Sequence, residues 1–273
     1  MLELFEHPIA LESFLPLLVA LVVAAALCRT RHAWLAIAAG YAAIVAITTG
    51  FSFTPPSAAR KLMLVVLLSP LVGLIIDVIP RPSRAIAPIL AVAAGGISTW
   101  VFVSVLSQRE GMAGYAAGAG IALFVAALVY AVVRQRDDGL RAGATGLGLG
   151  VATGLAGFLS ASVGFLLTGA AVAQSASAVL LVQVIFSRSI AAGYTGTLPI
   201  GVATALFAVG TMLLAELRWF ILPLLLLVPA AVALPVPGRA PRIVRAALLA
   251  GYALAAAAIP ILAAWYSARG SFG

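Results

Sequence analysis

The stretch Ala142–Phe186, AGATGLGLGVATGLAGFLSASVGFLLTGAAVAQSASAVLLVQVIF, runs for 45 positions without a charged residue. A bilayer helix needs about 20 apolar residues, so this run is too long for one span and about right for two. Only Ser160, Ser162 and Gly164 offer a turn inside it. Cut there, it becomes spans 142–163 and 165–186; left uncut, it holds a full span and a re-entrant piece. The first reading gives ten spans in all and the second eight or nine. Because each span reverses the chain, the cut also sets the side on which every later loop lies.

The rest of the chain is built the same way. Of 273 residues, 64% are hydrophobic and 9% charged, against about 25% charged in soluble domains, and the mean hydropathy is +1.18. This predicts an all-α integral membrane protein. Charges and turn clusters separate further apolar segments at 9–28, 33–50, 62–79, 85–106, 112–133, 198–216, 219–234 and 246–266. Glu3, Glu6 and Glu12 precede the first of these and Arg29 follows it, the reverse of a cleaved targeting signal, so it is read as a retained span. The net charge of +8 sits in short gaps between spans, where membrane topology accounts for it better than nucleic acid does. Counting Lys and Arg in those gaps with an external N-terminus puts eleven inside and five outside, which predicts both termini outside. Abundant Ala, Gly and Arg beside the single Lys61 point to a bacterial inner membrane.

The arginines also suggest a duplication. Arg29/Arg188, Arg60/Arg218, Arg81/Arg239, Arg84/Arg242 and Arg109/Arg269 are separated by 158 to 160 residues. The segment from Pro70 to the Pro80–Arg84 turn parallels that from Pro229 to Gly238–Arg242. The expectation is a single polytopic domain holding a parallel repeat, 1–110 and 160–273 (spans one to four and seven to ten), joined by helices within 111–159, one of the symmetries common in transporters. Regular spacing of loop arginines between hairpins of similar length would give the same pattern.

Two kinds of packing signal stand out. Gly114 and Gly118 in the fifth span, and Gly146, Gly150 and Gly154 in the sixth, recur every four residues and permit close helix approach in lipid, so these two spans are expected to pack together. Pro16, Pro70, Pro88, Pro223, Pro229 and Pro260 lie in or near spans and predict kinks; Pro70 and Pro229 occupy matched places in the proposed repeat, where interrupted helices point to a transport site.

Chemistry-bearing residues are few. Cys28 alone excludes disulfides and thiolate clusters; His7 and His32 cannot supply a haem or di-metal site. No HExxH, Walker lysine or dinucleotide-binding glycine motif occurs, and the longest gap, Gly50–Lys61, is too short for a catalytic domain. No enzyme activity, cofactor or metal is therefore expected. Asp77 stands four residues before Arg81, an i,i+4 ion pair or else a proton or cation site. Glu12, Glu216 and Arg218 read as solvated, as do Asp137 and Asp138 among Arg134, Arg136 and Arg141. The polar uncharged residues Ser160, Ser162, Thr168, Gln174, Ser175, Ser177 and Gln183 either bond between helices or form the wall of a cavity. The resulting expectation is a secondary transporter or permease for a small neutral, amphipathic or weakly anionic solute. Its path would be lined by Gln174, Ser175, Ser177, Gln183, Ser160 and Asp77, with backbone exposed at Pro70 and Pro229. The alternative is a non-catalytic subunit or assembly factor, partnered by other membrane subunits or by a second copy.

Overall fold

The computed structural model describes residues 8–51, 54, 57–79, 83–108, 111–238 and 240–269, without the side chains of residues 8–13 and Arg31. Regular structure among these residues is entirely helical: α1 (Pro8–Ala26), α2 (Leu35–Thr48) after a 3-10 turn at Arg31–Trp34, α3 (Ala58–Val78), α4 (Ile86–Val101), α5 (Val103–Leu106), α6 (Met112–Val133), α7 (Gly139–Leu159), α8 (Val163–Ile185), α9 (Gly193–Leu214), α10 (Ile221–Leu224), α11 (Leu227–Val232) and α12 (Arg242–Arg269). Six of these, α3, α6, α7, α8, α9 and α12, are long and apolar enough to cross a membrane and fit a multi-pass membrane protein. Four shorter apolar helical stretches, Phe14–Ala26, His32–Thr48, Ile86–Val101 and the α10–α11 pair over Ile221–Val232, occupy the remaining hydrophobic segments.

The uncharged run 142–186 forms two helices. α7 ends where Ala161 takes a left-handed φ of +59°, with the Ala161 and Ser162 amides donating back to the Phe158 and Gly157 carbonyls, a closing pattern that satisfies the helix's last acceptors. α7 begins before the apolar run does, because the Asp138 carboxylate caps it, accepting from the Leu140 and Arg141 amides at 3.1 and 3.2 Å. The segment 219–234 is not one helix. Pro229 has no N–H for the Leu225 carbonyl, and 3-10 bonds from Leu225 to Leu222, Leu226 to Pro223 and Val228 to Leu225 part α10 from α11. Pro70, its counterpart in sequence, lies within the unbroken 21-residue α3.

α9 is the axis of the bundle: every residue from Tyr194 to Thr211 is buried. α3, α6, α7 and α8 pack around it; α1 and α2 cover α8, α4 covers α6, and α12 packs on α7 beside α11. The glycine faces do not join the fifth and sixth spans, contrary to the expectation from sequence. Gly150 and Gly154 of α7 face Gly169, Ala170 and Ala173 of α8, and Gly146 faces Ala176, because α8 presents small residues at the matching spacing. A Cβ at Gly150 would lie 2.5 Å from the Ala173 amide nitrogen, so the two backbones are in direct contact. α6 packs on α4 and α9 instead.

Contacts between helix ends define two poles. At one, Asp77 at the end of α3 meets the start of α9, Gly139 at the start of α7 meets Gln183 and Ile190, and Trp34 donates to the Ile190 carbonyl at 3.4 Å. At the other, Gly210 of α9 meets Phe165 and Leu62, and Ala156, Leu217, Ile221 and Ala264 form a small apolar cluster. This second pole carries Lys61 over the Trp100 ring at 4.9 Å and Arg269 over Trp265 at 3.7 Å, with Arg218 beside Trp219. Paired cations and indoles are the usual furnishing of a membrane–water boundary.

Candidate functional site

Gln174 and Ser177 stand three apart on α8, hence on one helix face, and open into a groove of about 450 Å³ bounded by Leu17 of α1 and by Gly150, Gly154 and Leu155 of α7. The groove exists because glycine at 150 and 154 draws the α7 backbone against α8 and leaves no side chains to fill the flank. Its lining is otherwise hydrocarbon. Ser177 donates to the Ala173 carbonyl at 2.8 Å, which leaves its oxygen as an acceptor towards the groove. Such a wall can bind the hydroxyl, amide or carbonyl of an amphipathic molecule while solvating its apolar part.

The other expected wall residues lie elsewhere. Ser175 is fully buried, donating to Ala171 at 2.7 Å and pressed against Gly40 of α2, where a Cβ would overlap its hydroxyl. Ser160 donates to Ala156 at 3.0 Å at the tryptophan pole. Gln183 sits at the opposite pole, fully buried, its Oε1 accepting from the Ile190 amide at 3.2 Å and so bracing the α8–α9 loop. Pro70 and Pro229 are both buried; the Pro229 carbonyl is taken by Gln135 Nε2 at 3.2 Å. Glu3, Glu6, His7 and Arg81 lie outside the described residues, as does the side chain of Glu12.

Asp77 has a more specific role than a surface ion pair. Its Oδ1 accepts from the Tyr194 amide at 2.9 Å; its Oδ2 accepts from the Thr195 amide at 2.8 Å and the Thr195 hydroxyl at 2.7 Å. A residue of α3 thus caps α9, satisfying amides that would otherwise be orphaned at a helix start, and the carboxylate lies on the positive end of the helix dipole. Gly193 makes this approach feasible: its φ is +61°, and a Cβ there would overlap the carboxylate.

No protein-family model matches the chain, and no curated protein matches it.

Around Asp77 the structure assembles polar residues that composition hides in loops. The Asp137–Asp138 loop is only partly solvated: Asp137 is 89% exposed, but Arg136 and Arg141 are each 25% exposed. Arg136 reaches the Tyr194 hydroxyl at 3.1 Å and lies over its ring, while its carbonyl accepts from the Gly193 amide at 2.9 Å. Arg141 bonds the Val232 carbonyl and pairs with Asp138 at 3.3 Å. Gln135, buried, links Thr145 of α7 at 2.6 Å to Pro229 of α11. These contacts lock the α6–α7 loop onto the start of α9 and the end of α11. Sequence reading misses Gln135, Thr145, Trp34 and Tyr194, since the partners are ten to 156 residues apart and none belongs to a local motif.

Proposed function

We propose that this protein is a membrane permease, not an enzyme, that moves a small neutral, amphipathic or weakly anionic solute along the α1–α7–α8 groove. The observation that carries this reading is the pairing of Gln174 with Ser177 on one face of α8, polar groups at membrane depth that open to an otherwise apolar groove. A ten-span arrangement in a bacterial inner membrane belongs to the same proposal. It is supported by the four shorter apolar helical stretches, which complete the alternation of the chain between the two poles. It is supported too by charge: Arg84, Arg134, Arg136, Arg141, Arg188, Arg242 and Arg245 flank helices at the Asp77 pole, against Arg60, Lys61, Arg218 and Arg269 at the other. A parallel repeat keeps its support in the arginine spacing, with Pro70 and Pro229 standing in unlike helices.

Two measurements follow. A reporter active only in the cytoplasm, inserted after the exposed Asp137, is expected to give strong signal, whereas the same reporter after Gly273 gives none; the opposite pair of results reverses the topology. In proteoliposomes offered a panel of small solutes, Gln174→Leu is expected to lower uptake by about tenfold or more while membrane insertion is retained, since leucine favours insertion. Uptake equal to wild type removes the support for this groove.

The second reading, a membrane subunit, is favoured by Met112 and Tyr115 at the start of α6, 81% and 80% exposed beside a second groove of about 720 Å³ between α4–α5 and α6. Purification under mild detergent separates the two, since a subunit brings down partners in fixed stoichiometry and a permease elutes alone.

A further inference from the structure

A third groove, of about 780 Å³, runs between α6 and the turn that joins α9 to α10. Its floor is α6 from Ala117 to Ala127, its far wall Leu222 and Leu226, and its mouth Arg218 and Trp219. Ten residues of helix rise about 15 Å, half of the roughly 30 Å hydrocarbon core and so about the length one acyl chain occupies in a leaflet. Its open end lies at the tryptophan pole, with Trp219 74% exposed and stacked edge-on against Phe220. Arg218 is exposed there, and among the described residues neither it nor the neighbouring Glu216 forms an ion pair.

We infer that this groove holds a glycerophospholipid, one acyl chain lying along α6 and the phosphate on Arg218. The chemistry follows from the two ends. A guanidinium is suited to a phosphodiester, which it can meet with two parallel N–H donors. The rest of the lining is hydrocarbon and about 15 Å long, dimensions that suit a lipid tail and are short for a spanning helix. An indole at the mouth sits where glycerol and headgroup meet. This assignment needs the bilayer placement of the helices and not the transport reading: unchanged uptake in Gln174→Leu leaves it standing.

The test is native mass spectrometry of the full chain in detergent, with added phosphatidylglycerol or with diacylglycerol of the same acyl chains as the arm lacking phosphate. Arg218→Gln keeps a polar, hydrogen-bonding side chain, somewhat shorter, and removes its charge. Gly120→Leu places a side chain into the groove, where an added Cβ meets no atom within 4 Å, so it fills the site without a clash; Gly96→Leu, equally open but on α4, is the control. Wild type and Gly96→Leu are expected to retain bound phosphatidylglycerol. Each groove variant is expected to lose it by about tenfold, the size of one charge-assisted hydrogen bond or of a blocked chain, with melting temperatures close to wild type. Diacylglycerol is expected to bind at least tenfold less well than phosphatidylglycerol to wild type. Wild-type occupancy in either groove variant, loss of lipid in the control, or equal binding of diacylglycerol overturns the assignment.

Discussion

Gly150→Val is expected to leave almost no folded protein in detergent, as read by size-exclusion profile and thermal melt. The first carbon of any side chain at 150 would lie 2.5 Å from the Ala173 nitrogen and 2.8 Å from the Gly169 carbonyl. Both obstacles are backbone, so no rotamer change relieves them; α8 would have to move away along its length. Overpacking of a core costs about 1–3 kcal/mol when side chains can shift, and more is expected where they cannot. Separating α7 from α8 would also open the helices that flank α9. Gly164→Ala is the matched control: nothing lies within 4 Å of a Cβ there, and alanine is favoured over glycine in a helix by about 0.5–1 kcal/mol. A melt for Gly150→Val within a degree or two of Gly164→Ala would show that the α7–α8 contact is looser than the geometry requires.

Asp77→Ala is expected to produce the second-largest loss. Three hydrogen bonds between 2.7 and 2.9 Å converge on this carboxylate, and each charge-assisted bond contributes about 1.5–3 kcal/mol, less than additively because they share one acceptor group. The variant leaves the Tyr194 and Thr195 amides without their acceptor at the start of the central helix, for an expected loss of about 3 kcal/mol. Asp77→Asn should fall between, since an amide keeps one acceptor oxygen but turns a donor towards the other N–H. Thr195→Val removes only the hydroxyl bond and should cost about 1.5 kcal/mol, the low end for a charge-assisted bond. Equal melts for Asp77→Ala and wild type would mean that water replaces the carboxylate at no cost.

Much of the architecture is legible in the sequence because the bilayer imposes so strict a length rule. The division of 142–186 into two helices follows from length and from Ser160–Ser162, and the close approach at Gly146, Gly150 and Gly154 follows from spacing, whereas Gly114 and Gly118, spaced alike, line an open groove. The partner of the α7 glycines does not follow. Gly146, Gly150 and Gly154 say that something approaches closely, but whether it is α6 or α8 depends on which neighbour offers small residues in register, and Gly169, Ala173 and Ala176 are visible only once paired. Helix starts are misjudged for a related reason. The apolar count places the eighth span at 198, yet α9 begins at Gly193, since its first turn is held by a carboxylate more than a hundred residues earlier. The wall residues divide similarly: Gln174 and Ser177 share a face by local periodicity, whereas Gln183 looks identical in sequence and ends as a brace for a loop.

The burial of α9 bears on how the chain is assembled. A helix enclosed on all sides is still made before α10, α11 and α12 can pack into place. α9 is equipped for that interval: Thr197, Thr204 and Thr211 each donate to the carbonyl four residues back, on Gly193, Ile200 and Phe207, at 2.6 to 2.8 Å. Its hydroxyls are therefore satisfied within the helix and demand no partner from the lipid or from later segments. Thr195 and Tyr194 are the exceptions, and their partners, Asp77 and Arg136, are already made because α3 and the α6–α7 loop come first. The polar groups of the most enclosed element thus depend only on itself and on what precedes it, so the order of synthesis and the order of satisfaction run the same way.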